Sequence, residues 1–378
     1  MAHPSAAVPG PAAVAHPSAG DPARPLRAGV VGLSHYHVTG WVETIEGFPD
    51  ELEIVALYDP DPERARTLAP THHDPSLRAG LGERYLATPV ETRLEDLVRR
   101  HYLDVALITL PNAQAPEAIE HLAGAGIHLL VDKPAARSAP EARRAFEAVR
   151  AAGVRAVVGL TRRYSPAARS ARELVAAGRL GQLVSGEAIF AASSVRVRDP
   201  LNPLFDPDLA GGGILGWLGI HDLDSLLWLS GERVVEVSAM AGSVGSPGLA
   251  VEDVISVALR FAGGAVGTLH HAYALPARGY RSRLALRGLE ASIELGLDEE
   301  LVVLTAGNDG HVREERTRFD VPPAAGYGAS GRAAVRDLLD AIRDGRDTQA
   351  TGEALVAALE LVDAAYESAR TGHRVRLT

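Results

Sequence analysis

From residue 26 onward the chain alternates short, nearly unbroken apolar runs with stretches whose apolar residues recur at helical spacing. The runs at 27–33, 52–58, 105–110, 127–131 and 155–160 have the continuous hydrophobicity of strands covered on both faces. Between them, Trp41, Val42 and Ile45 precede the stop signals Gly47 and Pro49, and 113–123 ends before Gly124 and Gly126, as amphipathic helices do. This alternation predicts βαβ units and a parallel sheet, so residues 26–160 read as an α/β nucleotide-binding domain.

Beyond residue 160 the rhythm changes. Ser165 and Pro166 have the form of a helix cap and first position, leading into a helix that stops at Gly178. Strand patterns then follow at 234–243, 253–261, 265–273, 281–288, 291–295, 301–306 and 312–319, separated by turns such as Gly263-Gly264 and Asn308-Asp309-Gly310. One long helix is expected at about 214–229, and two more, 332–343 and 353–370, close the chain. Residues 161–378 are therefore expected to form an α+β domain with a large, open, mostly antiparallel sheet. Residues 1–25, rich in Ala, Pro, Ser and Gly and repeating Ala-His-Pro-Ser-Ala at 2–6 and 15–19, read as a disordered tail. Prolines interrupt it where a secretion signal needs an apolar stretch, so a cytoplasmic location is expected.

Composition narrows the function classes. No run approaches the ~18 apolar residues of a membrane span, which excludes a helical membrane protein. With 48 acidic against 38 basic residues the net charge is −10, the wrong sign for a nucleic-acid partner. The absence of cysteine removes thiolate metal sites and thiol nucleophiles. The basic pool is 37 arginines and one lysine, Lys133. Arginine replaces a surface lysine as a charge, but cannot deprotonate near neutral pH or present a compact ammonium, so chemistry that needs either resists the exchange. Lys133 is a catalytic candidate on that ground alone.

The turn after the first strand reads Gly32-Leu33-Ser34-His35-Tyr36-His37. Only the first glycine of a dinucleotide fingerprint is present; Ser34 and His37 stand at the other two places. Asp59, directly after the second strand, is placed to accept the ribose hydroxyls of adenosine and to repel a 2′-phosphate, which favours NAD over NADP. The histidine pairs at 35/37, 72/73 and 270/271 lack a ligand spacing tied to one helix, and no metal is expected.

Asp132-Lys133-Pro134, Arg163-Tyr164-Ser165-Pro166, Gly211-Gly212-Gly213, the segment Gly219-Ile220-His221-Asp222-Leu223-Asp224 and Trp228-Leu229-Ser230-Gly231 resemble, in order and spacing, the Gfo/Idh/MocA oxidoreductases. The resemblance implies a Rossmann domain, a second domain that often mediates oligomers (a homodimer or homotetramer), bound NAD, and oxidation or reduction of a carbinol on a sugar, cyclitol or glycoside. It further implies that Lys133 hydrogen-bonds the reacting oxygen, with Asp132 in place of the usual glutamate, and that His221 shuttles the hydroxyl proton; Asp224, three residues on and so on the same helix face, is placed to orient it. Gly32, Ser34, His35, His37, Pro111 and Asn112 would lie along the cofactor, and Arg163 and Tyr164 beside the substrate. Where the sugar dehydrogenases of this family commonly carry an aspartate, four residues before His221, this chain has Trp217. An indole carries no proton, so Trp217 is either a packing residue or an apolar platform for a sugar ring that desolvates Lys133; the scarcity of tryptophan, 3 in the chain, favours the platform. Two other classes remain open: a glycoside hydrolase or epimerase that uses NAD transiently, and a cofactor-binding protein without turnover.

Overall fold

The computed structural model describes residues 24–377 apart from 36, 68–80, 82–84, 86, 196–202, 247 and 297. The tail expected at 1–25 falls almost entirely outside the described residues, as do His72 and His73. The first unit is a six-stranded sheet of β1 (Leu26–Val31), β2 (Leu52–Tyr58), β3 (Val90–Glu91), β4 (Val105–Ile108), β5 (His128–Val131) and β6 (Ala156–Val158). Its order is β3-β2-β1-β4-β5-β6 and every pairing is parallel. The connecting helices are α1 (His37–Glu46), α2 (Pro62–Thr67), α3 (Leu94–Arg100), α4 (Ala115–Gly124) and α5 (Ala139–Ala152). All four residues of β4 are buried, as the unbroken apolar run requires. Strand order reverses between β1 and β4, and ligands of such sheets bind in the crevice at the carboxyl ends of those strands. The loops at 32–35, 109–112 and 132–133 meet there, the Thr109 hydroxyl donating to the Gly32 carbonyl at 2.6 Å and His35 lying 3.9 Å from Asp132.

The second unit begins with α6 (Pro166–Ala176), capped by the Ser165 hydroxyl, which accepts the Ala168 N–H at 3.2 Å. After β7 (Leu183–Ser193) and α7 (Pro207–Ala210) comes a single π-helical turn, Leu215–Gly219, that runs into α8 (Ile220–Ser230). The sheet is completed by β8 (Val234–Gly242), β9 (Val254–Phe261), β10 (Val266–Leu275), β11 (Tyr280–Gly288), β12 (Ala291–Leu295), β13 (Glu300–Ala306) and β14 (Val312–Arg318). The chain ends with α9 (Gly328–Asp344), α10 (Gly352–Thr371) and β15 (Val375–Arg376). The order is β14-β13-β12-β11-β7-β10-β9-β8-β15, antiparallel except for β7 with β10. Strict alternation of buried and exposed positions along β9 gives this sheet one covered and one open face.

Three features depart from the sequence pattern. The centre of the second sheet, β7, carries no strand signal because its buried positions, Gly186, Ala188, Phe190, Ala192 and Ser193, are small apart from Phe190. A side chain at 186 would crowd Leu226 and Leu286, so the strand is written in small residues to let α8 approach. The helix expected at 214–229 starts as the π turn. Finally, the closing helices do not serve the second unit alone. Ala334, Val335, Leu338 and Leu339 of α9 and Leu355, Ala358 and Leu359 of α10 are buried in the first core, whereas Leu361, Val362 and Ala365 enter the second. No described helix is long and apolar enough to cross a membrane.

Candidate active site

Gly32 ends β1 with φ +100°, and a Cβ there would lie 2.7 Å from the Leu110 nitrogen, so only glycine allows the loops after β1 and β4 to touch. The loop then buries Ser34 and His35 and delivers His37 as the first residue of α1. His37 occupies the third fingerprint place because its imidazole has a partner at the end of β5: its Nδ1 lies 2.7 Å from Asp132 Oδ2. The other Asp132 oxygen accepts the Trp41 indole N–H at 2.9 Å. Burial works against the charge of Asp132, yet His37, His35 and the neighbouring ammonium hold its carboxyl well below the usual carboxylate range. His35, His37 and Asp132 bring donor atoms of the types a cation uses within 4.8 Å of one another, a convergence that pairwise histidine spacing does not reveal. Those donors are engaged with one another, however: His35 Nδ1 accepts the His37 backbone N–H at 3.1 Å, and Asp132 serves His37 and Trp41. We read the cluster as a hydrogen-bonded scaffold.

Lys133 follows directly and is 4% exposed. Its ammonium donates to the main-chain carbonyl of Trp217. Burial, reinforced by the Arg162 charge and only partly opposed by Asp132, lowers its pKa to about 8. The Trp217 ring stacks on His35, with centroids 5.0 Å apart and planes 6° from parallel, and lies 5.2 Å from the Lys133 nitrogen. Its indole N–H has no acceptor among the described residues. Trp217 thus sits between the cofactor loop and the lysine, outside both large cores. His221 lies in the first turn of α8; burial first, then the charges of Lys133 and Arg162, push its pKa well below the ordinary histidine value, which favours the neutral imidazole. Its Nδ1 is buried with no partner among the described residues.

Several expected roles are corrected. Asp224 does not orient His221: it holds the Arg163 guanidinium bidentately at 2.6 and 2.9 Å, and Arg163 also donates to the Gln349 carbonyl. Tyr164 turns away from the site to donate to Asp337 at 2.8 Å, tying the turn after β6 to α9. The polar groups of Arg163 and Tyr164 are thus engaged with Asp224, the Gln349 carbonyl and Asp337. The residue of that turn that does face the centre is Arg162, paired with Asp222, whose other oxygen lies 3.0 Å from His271 Nε2. Asn112 binds the Ala210 carbonyl at 2.7 Å, fastening the loop after β4, with Pro111 beside it, to α7. Asp59 is fully buried and cannot meet a ribose as it stands. Its oxygens accept the N–H groups of Leu33 at 2.7 Å and Asp61 at 3.0 Å and the Arg64 guanidinium at 2.9 Å. The more exposed carboxylate after β2 is Asp61, which shares Arg64.

The dinucleotide fits this frame: the Gly32 turn leads to a helix N-terminus, where backbone N–H groups receive a pyrophosphate. Comparison with known proteins agrees. D-xylose 1-dehydrogenase (NADP(+)) 2 of Haloferax volcanii is 30% identical over 288 residues, 75% of this chain and 83% of that one. Inositol 2-dehydrogenase of Rhizobium meliloti is 27% identical over 271 residues, 70% and 78% of the two chains. A solved levoglucosan dehydrogenase in complex with NADH shares the fold, with a TM-score of 0.79 at 21% identity over 94% of this chain and all of that one. Residues 26–160 match the model of an oxidoreductase family's NAD-binding Rossmann fold and residues 168–294 that of the GFO/IDH/MocA C-terminal domain. With its parallel sheet, its buried lysine after β5 and both halves matched, the chain belongs to the Gfo/Idh/MocA family of oxidoreductases.

Proposed function

We propose that the protein is an NAD-dependent dehydrogenase that interconverts a secondary hydroxyl and a ketone on a sugar, cyclitol or glycoside. The observation that carries this reading is Lys133, buried at the carboxyl end of the parallel sheet with its side-chain nitrogen on the Trp217 carbonyl. When bound, the dinucleotide supplies the hydride acceptor. In the oxidation direction the neutral Lys133 amine takes the hydroxyl proton as the C–H bond gives up its hydride; in reduction the ammonium returns that proton to the oxygen. His221, whose pKa burial pushes down, hydrogen-bonds the same oxygen and relays its proton onward. The test is to denature the purified protein, identify any released nicotinamide, and follow reduced cofactor over a polyol panel. Net accumulation supports the dehydrogenase; turnover without it supports transient use of NAD, and retained cofactor without turnover a binding protein.

NAD is the proposed cofactor because Asp59 and Asp61 share the single guanidinium of Arg64 after β2, leaving excess negative charge where a 2′-phosphate would lie. NAD(H) is expected to bind at least about tenfold more tightly than NADP(H), a difference of about 1.4 kcal/mol, by fluorescence titration. Equal affinities would remove Asp59 and Asp61 as the discriminating pair.

The unpartnered indole N–H of Trp217 supports a substrate contact there, with the ring keeping water from Lys133. Trp217→Phe is expected to raise KM about fivefold with kcat near wild type, the effect of one lost hydrogen bond. Trp217→Ala should lower kcat as well, because the lysine loses its cover. A folded Trp217→Ala enzyme with unchanged KM and kcat would end this assignment. As to partners, Met240, Ile189 and Val266 lie on the open face of the second sheet and support the homo-oligomer expected for such a sheet.

A further inference from the structure

A helix leaves its first N–H groups without intrahelical partners, and the stretch that carries Trp217 begins in a buried place where water cannot serve them. Four consecutive donors are satisfied there by two residues remote in sequence. The Gly213 N–H donates to Glu252 Oε2 at 2.7 Å, the Ile214 N–H to the Glu252 carbonyl at 3.2 Å, and the Leu215 N–H to Glu252 Oε1 at 3.0 Å. The Gly216 N–H donates to the Tyr366 hydroxyl at 3.3 Å, and that hydroxyl donates to Glu252 Oε1 at 2.8 Å. The glycines make this possible: a Cβ at 212 would stand 2.2 Å from the Tyr366 oxygen, and one at 213 would stand 2.0 Å from the Glu252 carbonyl oxygen.

What this clamp holds is the π turn, and what the π turn presents is the Trp217 carbonyl on the Lys133 ammonium. The ladder uses at most one of that carbonyl's two lone pairs, leaving the other for a side chain. A neutral acceptor orients an ammonium without cancelling its charge, unlike a carboxylate, which would hold the proton in place. We propose that Glu252 and Tyr366 are positioning residues for Lys133, fixing the π-helical turn so that the Trp217 main-chain carbonyl aims the lysine at the reacting oxygen. The inference rests on the reading of Lys133 as the proton acceptor. The charged and titratable groups around Lys133 are Asp132 beside it, which His35 and His37 face in turn, Arg162 from the turn after β6 and His221 on α8. None of them belongs to the clamp, so a change at Glu252 or Tyr366 reaches the lysine only through the turn.

Because the chain has one lysine, protein labelled with ¹³C-lysine gives a single side-chain set whose Cε shift titrates Lys133 directly, whether or not a substrate is known. The wild-type midpoint is expected near 8. In Tyr366→Phe and Glu252→Gln the loosened turn admits water, so the midpoint should rise by at least about half a pH unit toward the ordinary lysine value. On an active substrate kcat should fall about tenfold or more with KM within about twofold, the signature of a misplaced group rather than a lost binding contact. Folded variants that keep the wild-type midpoint overturn the proposal, even if no substrate turns over; a shifted midpoint in a protein without turnover overturns the dehydrogenase reading instead. Should both variants fail to fold, wild-type protein labelled at the tryptophan carbonyls decides: one of the three signals must move with the lysine midpoint, and three static signals overturn the proposal.

Discussion

Lys133→Met is expected to lose turnover by about 10²–10⁴-fold, the range for a positioned acid–base group, while unfolding at a higher temperature than the wild type. The two effects have one cause. A lysine in the unfolded chain titrates near 10.5, whereas the buried one titrates at about 8. Below pH 8 both states are protonated and the native state carries the whole cost of the buried charge, about 3 kcal/mol for a shift of this size. Between about pH 8 and 10.5 the native amine gives up its proton first, so this cost fades as pH rises. Methionine fills similar space without the charge. It leaves the Trp217 carbonyl with one acceptor site unfilled, at about 1–2 kcal/mol, so the net gain at pH 7 is about 1–2 kcal/mol. Lys133→Arg gains nothing in stability and remains inactive, since a guanidinium is too broad for the site and does not deprotonate. Calorimetry across pH 6–11 beside initial rates checks both halves; a stabilised, active Lys133→Arg would contradict them. The same ionisation governs the wild-type pH profile, with oxidation rising through pH 8 as the amine becomes available.

The solitary lysine was legible because composition alone isolates it and because its place after the fifth parallel strand is read from runs of apolar residues. The fold was legible for the same reason: strands buried on both faces and strands with one wet face leave different periodicities. What sequence could not supply is direction. Arg162, Arg163 and Tyr164 follow one another on a 3₁₀ turn, where each step rotates about 120°, so three neighbours point three ways and only Arg162 faces the centre. Asp222 and Asp224 divide in the same manner, one toward Arg162 and His271, the other toward Arg163. The π turn was hidden because a widened turn leaves the apolar pattern of its residues intact. Glu252 and Tyr366 were hidden because only the folded chain brings them to 213–216. Asp59 stands directly after β2 as its sequence position implies, but Arg64, five residues on, occupies it, a pairing that the apolar pattern does not announce.

Asp224→Ala is expected to cost about 3–5 kcal/mol of stability and to leave the kinetics of the folded enzyme within about twofold of wild type. The carboxylate is 1% exposed and meets the Arg163 fork through both oxygens. Removing it strands a guanidinium that is itself largely buried and packed over the Trp228 ring, with only the Gln349 carbonyl among the described residues left to receive it. An uncompensated buried charge is far more costly than the intact pair is stabilising, because the pair has already met most of its own desolvation. The melting temperature should therefore fall by about 5–10 °C. Replacing both partners with apolar residues of similar size, Arg163→Met with Asp224→Leu, should recover most of that loss, since no charge remains to be stranded. If Asp224 instead oriented His221, the single variant would keep its stability and lose kcat, and the double variant would recover nothing. Melting curves and initial rates on the same three preparations separate the two roles, and the bidentate geometry commits Asp224 to the first.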